Sequence, residues 1–334
     1  MTITFSPDGK HILSTSWEGL VKFWDPETGK EIRRIDSRIG HLYCAIYSPD
    51  GKRFATTADL AIKLWDTGTG AELITLIGHT SPVCTIAFSS DGKQLASGSC
   101  DHTVKLWDAN AGTPLLTLAG HDNFVSSVAF SYDCRCLASA SYDHSIKLWD
   151  AHFGQELFTL QGHTDLVTAV AFGPTGDLLA SASYDGTVKL WDPEAGRETR
   201  TLEHTGKVLG LALNPRGTLL ASASMNGEIK LWNMQSAQEL LTLRGHDDIV
   251  GKVAFSADGK HLVSASQGKD MKIWDTQTGD ELLTFKDDPF PRETTGFKFE
   301  GNRLTIKYDD GSTEIWEWDA SGQRKVVRPE SDDR

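Results

Sequence analysis

Long apolar runs are missing from this 334-residue chain. No stretch approaches about 18 consecutive apolar residues, which excludes a membrane-spanning helix, and no membrane partner is expected. The start, MTITFSPDGKHILS, has no basic segment followed by an apolar core and does not read as a secretory signal. No Asn-x-Ser/Thr acceptor occurs, which fits a non-secreted protein. Cysteine is sparse: Cys44, Cys84, Cys100, Cys134 and Cys136 are odd in number and irregularly spaced. Reduced thiols in a reducing, cytoplasmic compartment are therefore expected. Positive charge is in deficit: 33 Lys and Arg face 46 Asp and Glu, a net −13, which argues against nucleic-acid binding. A Gly-rich phosphate loop, H-E-x-x-H and C-x-x-C are all absent, and Cys134-Arg-Cys136 is too close-set, with too few neighbours, for zinc. Ser266-Gln-Gly-Lys269 fits S-x-x-K but reads as a turn with a solvated lysine. Nowhere does a 3.6-residue apolar period persist over about ten residues, so helices should be nearly absent.

Repetition is what the sequence has. Trp followed by Asp or Asn stands at Trp24, Trp65, Trp107, Trp149, Trp191, Trp232 and Trp274, in steps of 41 or 42; one further step of 42 reaches Trp316, where Glu317 follows. Eight units, approximately 1–36, 37–78, 79–120, 121–162, 163–203, 204–245, 246–287 and 288–330, account for the chain, so a single domain over 1–334 is expected. Within a unit the order is clearest over 163–202. VTAVAF, LLASAS, TVKLWD and RETRTL are separated by the turns GPTG, YDG and PEAG. Short β-branched runs between Gly, Pro and Asp turns predict four antiparallel strands per unit.

One such sheet cannot bury both its faces. Eight stacked radially can, leaving only short edges, and residues such as Val170, Phe172, Leu179 and Leu190 would fill the space between blades. The expected fold is all-β, an eight-bladed β-propeller of four-stranded antiparallel blades. Seven blades plus a detached unit is the alternative, with N-terminal unit 1 as the detached one.

The segment GHTSPVCTIAF…LASGSCDHTVKLWD (78–108) resembles the WD-repeat β-propeller family, as do 120–150 and 162–192, and the resemblance covers essentially the whole chain. It implies a platform for protein interaction with no chemistry of its own: no catalytic residue, no cofactor and no metal.

His, Ser and Asp do recur together, which invites a hydrolase reading. The sets are His79, Asp101 and Trp107; His121, Asp143 and Trp149; His163, Asp185 and Trp191, with serines such as Ser97 on the strand between. A nucleophilic triad is needed once per active site, so three copies in the same register point to a structural network. Asp would orient His, Ser would bridge and the indole N–H would donate, as the resemblance also implies. The pattern decays outside units 3 to 5. Unit 6 has His204 and Trp232 but Asn226 at the acid position, and unit 7 has His246 and Trp274 but Gly268 there. Unit 2 keeps Asp59 and Trp65 with Gly40-His41 displaced by three residues; unit 8 keeps Asp310 and Trp316 without the His; unit 1 has Glu18 and Trp24 alone. A stiff middle and softer end units are expected.

Function should then reside in exposed side chains at positions the repeat leaves unspecified. Two columns qualify, one just before the turn Asp and one shortly after the Gly-His histidine. The resemblance places both around the channel mouth on the top face. The candidate partner-binding residues are Trp17, Tyr43, Pro82, Phe124, Tyr142, Leu166, Tyr184, Lys207, Met225 and Ile249. Phe124, Tyr142, Leu166, Tyr184 and Met225 would form an arc over units 4 to 6; the competing reading is that they pack the loops of adjacent blades. The expected partner is a protein or peptide, with a slight preference for a basic segment given the −13 charge. A monomer is expected. A second function reading is a sensor module regulating an effector ATPase or kinase encoded nearby or once fused to it, since the near identity of units 3 to 5 resembles that of arrays attached to signalling ATPases and kinases. Both end units supply all four of their own strands, so ring closure should rest on side-chain packing. Residues 286–296, with Pro289, Phe290 and Pro291, depart most from the repeat.

Overall fold

The computed structural model describes residues 2–16, 19–37, 42–267 and 270–286, with side chains to residue 284, and the backbone of four later strands, Thr294–Glu300, Arg303–Tyr308, Thr313–Trp318 and Arg324–Val327. Each sequence unit folds as four consecutive antiparallel strands, numbered here from first to fourth. Blades 1 to 7 occupy 3–36, 42–77, 83–119, 125–160, 167–203, 208–243 and 250–286. No helix occurs among the described residues.

Turn chemistry sets the hairpins. In blade 2, Ser48 Oγ donates to Asp50 at 2.7 Å and Gly51 takes φ 69°, a left-handed position that glycine occupies without strain. The two faces of each sheet are buried against different neighbours. Val170, Phe172 and Leu179 pack with Ala138, Ile146, Leu148 and Leu160 of blade 4, whereas Leu190 of the same blade packs with Val208 and Leu220 of blade 6. Small second strands such as Leu179–Ser183 (LASAS), buried throughout, let neighbouring blades approach.

The ring closes after seven blades, not eight. Ile3, Phe5, Ile12 and Trp24 of blade 1 pack with Val263, Ala265, Met271 and Ile273 of blade 7 in one apolar cluster. Unit 1 is therefore part of the ring and not a detached unit, because residues to 286 form one compact unit; 287–334 form a second, whose four strands pair in their own sheet. The tryptophan period counts sheets correctly, but it does not say which sheets share a core. A sequence signal for the difference exists. Where the blade 5 second strand reads LASAS, the last unit reads Leu304-Thr-Ile-Lys-Tyr308, with Ile306 at the position of the serine that receives the indole. Among the described residues no blade borrows a strand, and the blade 1–blade 7 seam is held by the apolar cluster above.

Candidate functional site

Strand direction places the second-to-third-strand turn and the inter-blade connection at the same end of every blade, here called the top. The two candidate columns meet there. The Tyr142 amide donates to the Phe124 carbonyl (3.0 Å), Tyr184 to Leu166 (2.9 Å), Met225 to Lys207 (2.9 Å), Cys100 to Pro82 (2.9 Å) and Gln267 to Ile249 (2.9 Å). The residue two places after Phe124, Ser126, is skipped in the first-to-second-strand register, a bulge that blades 3 to 7 repeat. Freed from the ladder, Ser126 Oγ donates to the Val167 carbonyl of blade 5 at 2.6 Å, and Thr168 Oγ1 donates to the Val208 carbonyl of blade 6 at 2.9 Å.

Beneath this rim lie the histidine networks. In blade 3 the Trp107 indole donates to Ser97 Oγ (2.9 Å), Ser97 lies 2.7 Å from His79 Nε2, and His79 Nδ1 lies 2.8 Å from Asp101. An indole only donates and a carboxylate only accepts, so the serine proton goes to Nε2 and the imidazole carries its own proton on Nδ1. Blade 4 (Trp149, Ser139, His121, Asp143) and blade 5 (Trp191, Ser181, His163, Asp185) repeat the chain with spacings of 2.7–2.8 Å. Burial would raise the Asp101 carboxyl, but hydrogen bonds from Thr103, the Thr80 amide and His79 outweigh it and hold it at about 2. Burial pushes the His79 and His163 imidazoles down, with Asp101 and Asp185 pulling back in part. Ser97, Ser139 and Ser181 are completely buried, with both hydroxyl roles engaged, so these three constellations offer no nucleophile to a substrate.

Three further blades vary this arrangement. In blade 7 the network is complete although Gly268 stands at the aligned acid position: Asp270, two residues on, lies 3.0 Å from His246 Nδ1, and Ser264 and Trp274 finish the chain at 2.6 and 2.8 Å. Asp270 occupies the place of Thr103, Ser145 and Thr187, whose hydroxyls already lie 3.3–3.5 Å from the same imidazole nitrogen, and that was the available signal. In blade 2, Asp59 is exposed in a turn one residue shorter than its counterparts, so the Trp65 indole reaches Thr56 nine residues back where Trp107 reaches ten. In blade 6, Asn226 turns to Thr205, Glu228 and Ser224, and both ring nitrogens of His204 lie buried without a partner. Burial first, then the Lys230 charge, push His204 down to about 4.

On the rim, Phe124 is 42% and Met225 38% exposed, whereas Tyr142, Leu166 and Tyr184 are half-buried. Phe124 contacts His102 (ring centroids 5.9 Å) and Tyr142 (6.2 Å). Lys207 Nζ sits 4.6 Å over the Tyr184 ring and 4.0 Å from Asp165. Burial and then the neighbouring Tyr184 hydroxyl push the Tyr142 phenol up. Tyr43 is exposed in blade 2, and Pro82 and Ile249 are half-buried. Trp17, Glu18, Gly40-His41, Gly268, Lys269 and residues 287–293 lie outside the described residues, as do the side chains of Asp310 and Trp316. Among the described residues no group of three or more His, Cys, Asp or Glu could hold a metal ion.

Seven radial four-stranded sheets, four of them carrying a complete buried Trp–Ser–His–Asp chain, define a repeat β-propeller. The family model for the WD domain, G-beta repeat, matches residues 1–25, 30–66, 70–108, 112–150, 154–192, 196–233 and 237–275, and the chain belongs to that family. Such propellers typically serve as protein-interaction scaffolds and are generally non-catalytic. A segment of 55 residues is 34% identical to the Arabidopsis thaliana protein "Protein ANTHESIS POMOTING FACTOR 1"; it spans 16% of this chain and only 17% of that relative's length.

Proposed function

We propose that this propeller is a non-catalytic scaffold that binds a peptide or loop of a partner protein across the top of blades 4 to 6. The observation that carries the reading is a pair of side-chain groups on neighbouring blades at the top, His102–Phe124–Tyr142 and Tyr184–Lys207, with Phe124 and Met225 open to solvent. Aromatic bodies with polar tips give contact area at small entropic cost, which suits them as anchors. The net charge of −13 steers a basic segment toward the surface, adding to encounter rate more than to residence. We place the protein in the cytoplasm, as a monomer, with no nucleic-acid partner.

The test is an affinity pull-down from source lysate, comparing wild type with a Tyr142→Ala/Tyr184→Ala variant of matched melting transition. A partner retained by the wild type and lost by the variant supports the reading. Equal recovery by both assigns the aromatic arc to loop packing. If neither recovers a partner, the sensor-module reading takes precedence.

A further inference from the structure

Blade 3 departs from its neighbours at both rim columns at once. The bulge position, Ser126 in blade 4 and Thr168 in blade 5, is Cys84, and the residue before the turn acid, Tyr142 and Tyr184 there, is Cys100. The hydroxyls at the bulge reach across to the next blade's backbone; the Cys84 thiol instead faces Cys100 in its own blade, the two Sγ atoms 3.0 Å apart. Both cysteines are free and half-buried. The pairing follows from the register. Ser99 opposes Val83 and Gly98 opposes Thr85, so Cys84 is the skipped residue, and the Cys100 amide is tied to the Pro82 carbonyl at 2.9 Å. Backbone hydrogen bonds therefore fix both Cα atoms, and only a small rotation of the two side chains separates this contact from a bonded pair.

We propose that Cys84 and Cys100 form a reversible dithiol–disulfide site on the top of blade 3, oxidised by low-molecular-weight disulfides such as oxidised glutathione. In the first step the Cys100 thiolate attacks one sulfur of the glutathione disulfide, whose S–S bond breaks to release one glutathione as thiolate. Cys84 then loses its proton to solvent and attacks the Cys100 sulfur, expelling the second glutathione. The protein gives up two electrons and two protons, and one disulfide becomes two thiols. Cys84 is a poor first nucleophile, because burial and then the Cys100 neighbour push its thiol up to about 12; it takes the second role, where attack on the adjacent Cys100 sulfur is intramolecular. Reversible disulfides of this kind are compatible with a reducing compartment.

The experiment equilibrates the whole chain in glutathione buffers from fully reduced to fully oxidised, quenches in acid, alkylates with N-ethylmaleimide and maps peptides by mass. The expected result is loss of alkylation at Cys84 and Cys100 together, with a linked peptide two hydrogens lighter that dithiothreitol restores. The Cys84→Ser variant should stop with glutathione attached to Cys100. Alkylation of both thiols at every ratio would overturn the proposal, as would a stable glutathione adduct on Cys100 in the wild type. Since the wild type itself is measured, a misfolded variant leaves the result readable.

Discussion

Blades 4 and 6 share strand order, bulge position and a buried Trp donating to a Ser, yet their histidines live in opposite conditions. His121 is held at both ring nitrogens, by Ser139 and by Asp143. His204 occupies the same place with neither nitrogen bonded, because Asn226 has been drawn into a surface cluster with Thr205 and Glu228. The blade forms without its acid, so the apolar cluster decides the fold and the polar chain refines it. A buried donor or acceptor left unpaired costs more than a paired one contributes, and blade 6 therefore carries a local deficit.

The comparison can be broken most forcefully in blade 4. Asp143→Ala removes the acceptor for His121, for the Asp122 amide and for Ser145, and should destabilise the ring by about 3 kcal/mol, read as a lower urea midpoint. An effect below about 1 kcal/mol would show the network to be ornamental. In blade 6 the sign reverses. Asn226→Asp should stabilise by about 1–2 kcal/mol by giving His204 the partner it lacks, and an unchanged midpoint would show that the new carboxylate follows Asn226 to the surface.

A pH series sharpens the same contrast. The folded His204 sits at about 4, below its ordinary 6.5, so the unfolded state binds more protons as pH falls. Its contribution is complete above 6.5 and is lost progressively toward 4. His79, His163 and His246, also pushed down by burial, add the same sign, so the informative quantity is the difference between wild type and Asn226→Asp, which should widen between pH 7.5 and 5. The smallest effect concerns the seam. Amides of Cys136–Ser141 in blade 4 should exchange roughly tenfold more slowly than those of Ile12–Thr15 in blade 1, whose first strand has three residues where blade 4 has six. Equal rates would remove the expected gradient of stiffness.

Much of this was readable in the chain. The constant interval from His79 to Asp101, His121 to Asp143 and His163 to Asp185 announces the three central networks, because each unit repeats one hydrogen-bonding solution in one register. Alignment failed where the chain substitutes in space and not in line. Asp270 reaches His246 from two residues further on, while Asp59 is displaced by the deletion of a single turn residue. The meeting of Cys84 and Cys100 was equally invisible, since it depends on a bulge that sets residues sixteen apart against each other.

The sequence by itself determined the strand, the turn, the four-stranded unit and the number of units, all of which rest on local periodicity and on the φ preferences of Gly, Asp and Pro. Only the tertiary structure decided how many units share the ring. Closure depends on which apolar faces meet, and it was settled by Ile3, Phe5, Ile12 and Trp24 finding Met271 and Ile273 across the seam.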